Sequence, residues 1–143
     1  MKLVLFVCAQ NVGRSQTAAA LFNKYKHDAE SHAGSAGTRV EKPGETIAER
    51  TVYSDGAKNV VASLNEEGID ITGSTRTQIE PEMLDQYDKV IVMAEPESIP
   101  DWLSAAPNYE YWHIEDPRYK GLEETKKTQD LIKTKVLTIL NET

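Results

Sequence analysis

The stretch Leu3-Val4-Leu5-Phe6-Val7-Cys8-Ala9-Gln10-Asn11-Val12-Gly13-Arg14-Ser15 changes character twice. Lys2 to Val7 is a continuous apolar run rich in Val and Leu, the pattern of a strand covered on both faces. A short polar loop containing one glycine follows. Ser15 to Tyr25 then reads as a helix, with Ser15 at the N-cap and Ala18, Leu21, Phe22 and Tyr25 on one face. Strand, tight loop and helix make the first half of a βαβ unit, and the rest of the chain repeats that alternation.

Downstream, Glu30 to Ala36 reads as a second, shorter strand running into Ser35-Ala36-Gly37-Thr38. Pro43-Gly44 marks a loop. Ala57, Val60, Val61 and Leu64 form a helical stripe that Gly68 ends. Asp70 to Ile79 is Thr-rich and reads as loop plus weak strand. Pro81 suits the first turn of a short helix to Tyr87, and Lys89 to Met93 is the next buried strand. Pro96 to Leu103 is read as a short helical segment, Tyr109 to Ile114 as a last strand and Leu122 to Leu140 as a terminal helix. This alternation predicts an α/β fold. One domain over residues 1–143 is expected, a doubly wound, flavodoxin-like parallel sheet of four or five strands with helices on both faces and right-handed crossovers.

Composition narrows the function classes. The chain has 143 residues, 39% of them hydrophobic, enough to bury a core. No apolar run reaches the roughly 18–20 residues of a membrane span, and Met1 to Val7 is too short for a signal-peptide core. The formal charge of −7 argues against a general nucleic-acid binder. A single cysteine, Cys8, forms no internal disulfide and no Cys-based zinc site. His27, His32 and His113 show no ligand spacing, and no Walker loop or dinucleotide fingerprint occurs. A cytoplasmic protein without metal or organic cofactor is expected, with no membrane or nucleic-acid partner.

In such sheets, sites lie beyond the carboxyl ends of the strands, at a strand-order switch point. The first strand delivers Cys8 there, followed by Ala9-Gln10-Asn11-Val12-Gly13 and then Arg14-Ser15. A loop of this size curls its backbone N–H groups toward one point, and the helix N-terminus behind it adds a positive end. That nest suits a tetrahedral oxyanion. Arg14 can grip two of its oxygens at once, and Asn11 and Gly13 tolerate the backbone of a tight loop. A free thiol is only a few per cent ionised at neutral pH. Helix N-termini and nearby arginines lower such a pKa by several units, and Ser15 offers the sulfur a hydrogen bond. Cys8 therefore reads as a nucleophile that needs no histidine base.

Val7-Cys8-Ala9-Gln10-Asn11-Val12-Gly13-Arg14-Ser15-Gln16 resembles the signature of the low-molecular-weight protein tyrosine phosphatases and their arsenate-reductase relatives. Ser35-Ala36-Gly37-Thr38, Gly68-Ile69-Asp70, the strand through Met93 and Asp116-Pro117 fall in the same order as in that family. The resemblance implies a phosphotyrosine phosphatase I-like fold. It also implies Cys8 as nucleophile, Arg14 and the loop Ala9 to Ser15 as phosphate binders, Asn11 as a loop-shaping residue, Ser35 as a supporting serine and Asp116 as general acid. On the residues alone, Asp116 leaves a strand end on the side of Cys8 and is held extended by Pro117, with Glu115 as the competing carboxylate. Trp112 and Tyr119 are candidates for the mouth, where they would stack on an aryl phosphate.

Two departures from the family pattern matter. Gln10 stands where the phosphatases usually carry Gly, and Gly13 where they carry a second Cys. Gly13-Arg14-Ser15-Gln16 leans toward the reductases, yet the lone thiol rules out an internal disulfide relay. The first expectation is therefore a phosphatase acting on phosphotyrosine proteins or small aryl phosphates through a cysteinyl-phosphate, as a monomer or weak homodimer able to hold inorganic phosphate in its loop. The second is an arsenate reductase that borrows an external thiol such as mycothiol or glutathione. The third is a non-catalytic oxyanion-binding module.

Overall fold

A computed structural model describes residues 1–142. Its centre is a four-stranded, wholly parallel sheet of β1 (Leu3–Cys8), β2 (His32–Gly37), β3 (Lys89–Val92) and β4 (Tyr109–Tyr111), in the order β2-β1-β3-β4. Five α-helices accompany it: α1 (Arg14–Tyr25), α2 (Ile47–Thr51), α3 (Asp55–Asn65), α4 (Asp101–Ser104) and α5 (Leu122–Asn141). Pro81–Gln86 and Pro96–Ser98 are single 3-10 segments.

The apolar run of β1 is continuous because both faces are covered, and alternate residues go to different cores. Val4 and Phe6 pack into a cluster with Leu21 and Phe22 of α1, Val60 and Leu64 of α3, and Ile132 and Val136 of α5. Leu5 and Val7 pack on the opposite face with Leu84 of the 81–86 segment and Leu103 of α4. β3 divides in the same way, Ile91 to the first core, Val90 and Val92 to the second. The period of two along a strand makes this division automatic.

Several element boundaries depart from the sequence expectation. β2 begins at His32 rather than Glu30, because Asp28 accepts hydrogen bonds from the backbone N–H and hydroxyl of Ser31 and closes a turn there. The segment 96–103 divides into a 3-10 turn and α4. The short helix α2 was not anticipated, although its capping box Thr46-Ile47-Ala48-Glu49 is written in the sequence. A fifth strand does not form in 70–79. That stretch makes only single bridges, Gly37 to Gln78 and Thr46 to Thr75, because its polar groups serve the loop after β1. Ser15 is not an N-cap: Gly13 occupies that position and α1 starts at Arg14.

The strand order reverses between β1 and β3. Cys8 ends β1 and Glu95 follows β3, so both stand at the switch point where open α/β sheets place their ligands.

Candidate active site

Cys8 lies at the last residue of β1, buried, with Gly37 of β2 opposite it. The chain then turns sharply. Asn11 adopts φ +56°, a left-handed conformation in which asparagine is favoured among non-glycine residues. The turn fits tightly against β2. A Cβ on Gly37 would stand 2.5 Å from the Ala9 carbonyl oxygen and 2.9 Å from the Asn11 nitrogen, so only glycine fits there. The Thr38 and Arg39 backbone N–H groups hold the Cys8 and Ala9 carbonyls, each at 2.9 Å. With these carbonyls engaged on the β2 side, the loop is fixed from outside.

A second set of contacts fixes it from behind, all from the segment Thr75-Arg76-Thr77. The Thr77 N–H donates to Asn11 Oδ1 at 2.7 Å, which turns Asn11 Nδ2 toward Ser15 Oγ, also at 2.7 Å. Ser15 Oγ lies 3.0 Å from Cys8 Sγ. Since Asn11 donates into the serine oxygen, the serine's own proton is left for the sulfur. Arg76 donates to the Gln10 carbonyl at 3.1 Å and to Gln10 Oε1 at 2.8 Å. Gln16 Nε2 bridges the Asn11 and Thr75 carbonyls.

α1 begins with no side-chain cap, and its first intrahelical bond runs from Thr17 N–H to Gly13 O. The preceding amides are thus spared by the helix and available to an anion.

Arg14 is only 4% exposed. Glu95 takes its Nη1–Nη2 edge with two bonds of 3.0 Å, and the Met93 and Ile114 carbonyls accept from Nη1 at 2.6 and 2.9 Å. Among the described residues this leaves Nε and one Nη2 hydrogen without a hydrogen-bond acceptor, the side edge suited to a bidentate oxyanion. Burial works against the charge, but the Glu95 bond and the charges of Cys8, Glu95 and Asp116 outweigh it and hold the Arg14 pKa above its ordinary value. For Glu95, burial acts upward and the hydrogen bond and charge of Arg14 act downward. The second effect wins and its pKa is lowered.

Cys8, Ala9, Gln10, Val12, Gly13 and Arg14 line a cavity of about 1050 Å³, while Asn11 and Ser15 sit behind that floor, fully buried. Asp116 joins the cavity wall with its carboxylate 3.8 Å from Arg14 Nη2. Its other oxygen accepts the Arg118 N–H at 2.9 Å, which sets the direction of the carboxyl. Glu115 points elsewhere, 3.6 Å from Lys120, with its side chain 76% exposed. Tyr119 lines the mouth, 90% exposed and at φ +73°.

Trp112 does not reach the mouth. It is buried in the core, its ring centroid 5.8 Å from that of Phe6 and its indole N–H bonded to Glu110. Its large apolar surface is drawn inward as the chain leaves β4. Ser35 lies half-buried mid-strand in β2, in register with Phe6 and two residues short of the level of Cys8. Glu95, Arg76 and Tyr53 of this site went unnoticed in the sequence. Only Glu95 carried a signal, its place just past the carboxyl end of a buried strand.

Known proteins resemble this chain in sequence and fold. The family described as low molecular weight phosphotyrosine protein phosphatase matches residues 3–143. A glutaredoxin arsenate reductase from Synechocystis sp. is 30% identical over 138 residues, 95% of this chain and 94% of that protein. A low molecular weight protein tyrosine phosphatase from T. tengcongensis superposes with a TM-score of 0.78 at 28% identity, covering 98% of each chain. An arsenate reductase in its phosphate-binding state superposes at 0.74, also at 28% identity, over 98% of this chain and 97% of that one.

Proposed function

The chain belongs to the low molecular weight phosphotyrosine protein phosphatase family, and from that premise we propose that it is a cysteine-dependent phosphatase for phosphotyrosine proteins or small aryl phosphates. The observation that carries the reading is the contact of 3.0 Å between Cys8 Sγ and Ser15 Oγ, in a cavity that also holds Arg14 and Asp116. A hydroxyl donating to sulfur stabilises the thiolate as nucleophile and again as leaving group.

In this mechanism the Cys8 thiolate attacks phosphorus in line. The side edge of Arg14 and the spared amides of α1 hold the equatorial oxygens as charge develops on them. Asp116 gives its proton to the departing phenolate oxygen, leaving a cysteinyl-phosphate. Water then attacks phosphorus with Asp116 taking its proton, and the thiolate is released with inorganic phosphate. Asn11 shapes the loop, Ser35 supports it from β2, and Tyr119 offers the aryl ring a surface at the mouth. The reading carries with it one domain over residues 1–143, a cytoplasmic location suited to a free thiol, and a monomer or weak homodimer.

A second reading, arsenate reduction, is favoured by the identity to the Synechocystis reductase. Here Cys8 would form a thiol–arsenate adduct. Because the chain has no other cysteine, two equivalents of an external thiol would supply the two electrons and leave joined as a disulfide, with arsenite released and Cys8 returned as the free thiol. Side-by-side assays with an aryl phosphate and with arsenate plus glutathione or mycothiol separate the two. The phosphatase reading expects phosphate release without thiol and no thiol-dependent arsenite. Arsenite without phosphate release reverses it, and activity with neither points to an oxyanion-binding module.

A further inference from the structure

One side of the cavity carries a charge that the chemistry above leaves unused. Glu45 Oε1 accepts from Arg76 Nη1 at 2.7 Å, and the other bonds of Arg76 go to Gln10. The same oxygen lies 3.4 Å from Arg50 Nε without a hydrogen bond forming. Arg50 Nε is the single buried side-chain nitrogen or oxygen among the described residues that has no hydrogen-bond partner.

Two guanidinium groups thus share one carboxylate. Their side chains are 16%, 1% and 8% exposed for Arg50, Arg76 and Glu45, so the cluster holds a net positive charge largely out of water. Removing a charge from water without full compensation is unfavourable, and one carboxylate divided between two guanidinium groups leaves that compensation incomplete.

Arg50 and Arg76 both line the cavity that holds Cys8. The Arg50 guanidinium lies 5.6 Å from the ring of Tyr53, another wall residue. The other cations of the wall have partners of their own: Arg14 has Glu95, Arg118 has Asp116, Lys58 has Asp55, and Arg39 donates to the Glu97 carbonyl, whereas Arg50 has only a share of Glu45, whose hydrogen bond goes to Arg76. Glu41 and Glu97 line the cavity as well, but both are exposed and neither pairs with Arg50 among the described residues. A volume of about 1050 Å³ exceeds what a single phosphoryl group fills.

We propose that Arg50 is a second anion subsite of this cavity, which takes the carboxylate of an acidic residue flanking the phosphorylated tyrosine. The preferred substrate class is then an acidic phosphotyrosine peptide, captured locally by a protein whose overall charge is negative. This rests on the phosphatase reading and extends it from the reacting group to its neighbours.

The test uses non-hydrolysable peptides in which phosphonomethyl-phenylalanine is flanked on both sides by Glu or on both sides by Ala. Calorimetry gives Kd for the wild type, Arg50→Gln and Arg50→Lys. The wild type is expected to bind the Glu peptide roughly tenfold more tightly, the scale of one charge-assisted contact. The ratio is expected to fall below about twofold in Arg50→Gln and to survive largely in Arg50→Lys, which keeps the charge. Equal binding of the two peptides by the wild type overturns the proposal, as does an undiminished ratio in Arg50→Gln. Should Arg50→Gln not fold, Arg50→Met takes its place with the same expectation, and an undiminished ratio there overturns the proposal equally. Turnover of p-nitrophenyl phosphate is measured alongside: its absence removes the phosphatase reading, while the binding ratio judges the subsite independently.

Discussion

The floor and the rim of the cavity are built on opposite principles. On the floor, Asn11 and Ser15 are wholly buried and Arg14 nearly so; Thr77 holds Asn11, Asn11 holds Ser15, and Met93, Glu95 and Ile114 hold Arg14. At the rim, the Asp116 side chain is 37% exposed, that of Arg118 48% and Tyr119 90%. On the phosphatase reading, the groups assigned to the oxyanion are therefore fixed at folding, where organised dipoles contribute most to a charged transition state. The groups that meet the rest of the substrate stay in water and are free to adapt.

The largest expected break in this contrast comes from the rim's one chemical group. Asp116→Asn is expected to lower kcat for an aryl phosphate by roughly 10²–10⁴-fold. Phosphate affinity, set by the floor, is expected to hold within about threefold, since a general acid contributes to proton transfer rather than anion binding. Steady-state kinetics and phosphate inhibition measure both. A negligible change in kcat would move the acid role to another carboxylate.

A smaller effect is expected on the floor itself. Gly37→Ala puts a methyl 2.5 Å from the Ala9 carbonyl and is expected to destabilise by about 1–3 kcal/mol as the loop is displaced. Phosphate binding is expected to weaken with it. Chemical denaturation with calorimetry on the same samples gives the two numbers, and retained affinity would mean that the loop is not set by its fit to β2.

The smallest effect concerns the residue that joins the two zones. Glu95 holds Arg14 inside the floor while its own side chain is 42% exposed. Its pKa in the folded protein is below the ordinary 4.5. Its contribution to stability is therefore complete above that value and is lost as pH falls through the lower folded value. The wild-type melting temperature is expected to drop more steeply from about pH 5 to about pH 3 than that of Glu95→Gln. Parallel curves would show that the pair contributes nothing.

The same contrast explains what could be read from the sequence. The floor is written in one contiguous stretch, Cys8 to Ser15, between a run of buried strand residues and an amphipathic helix, so local patterns suffice. The strands around Phe6 and Ile91 were legible for the same reason. The brace behind the floor comes from Thr75, Arg76 and Thr77, far from the loop in the chain and sharing no period with it. Arg76 and Thr77 also answer why 70–79 looked like a weak strand: their polar groups turn to Gln10 and Asn11 instead of a neighbouring strand. Trp112 was misjudged because aromatic character alone does not say whether a ring faces the core or the mouth.

The most direct test is to quench the protein in acid during turnover of p-nitrophenyl phosphate and locate the phosphoryl group by mass spectrometry of its peptides. A phosphoryl adduct on Cys8, absent in Cys8→Ser while that variant still binds phosphate, is the expected result. Phosphate release with no adduct on Cys8, or undiminished turnover by Cys8→Ser, would contradict it.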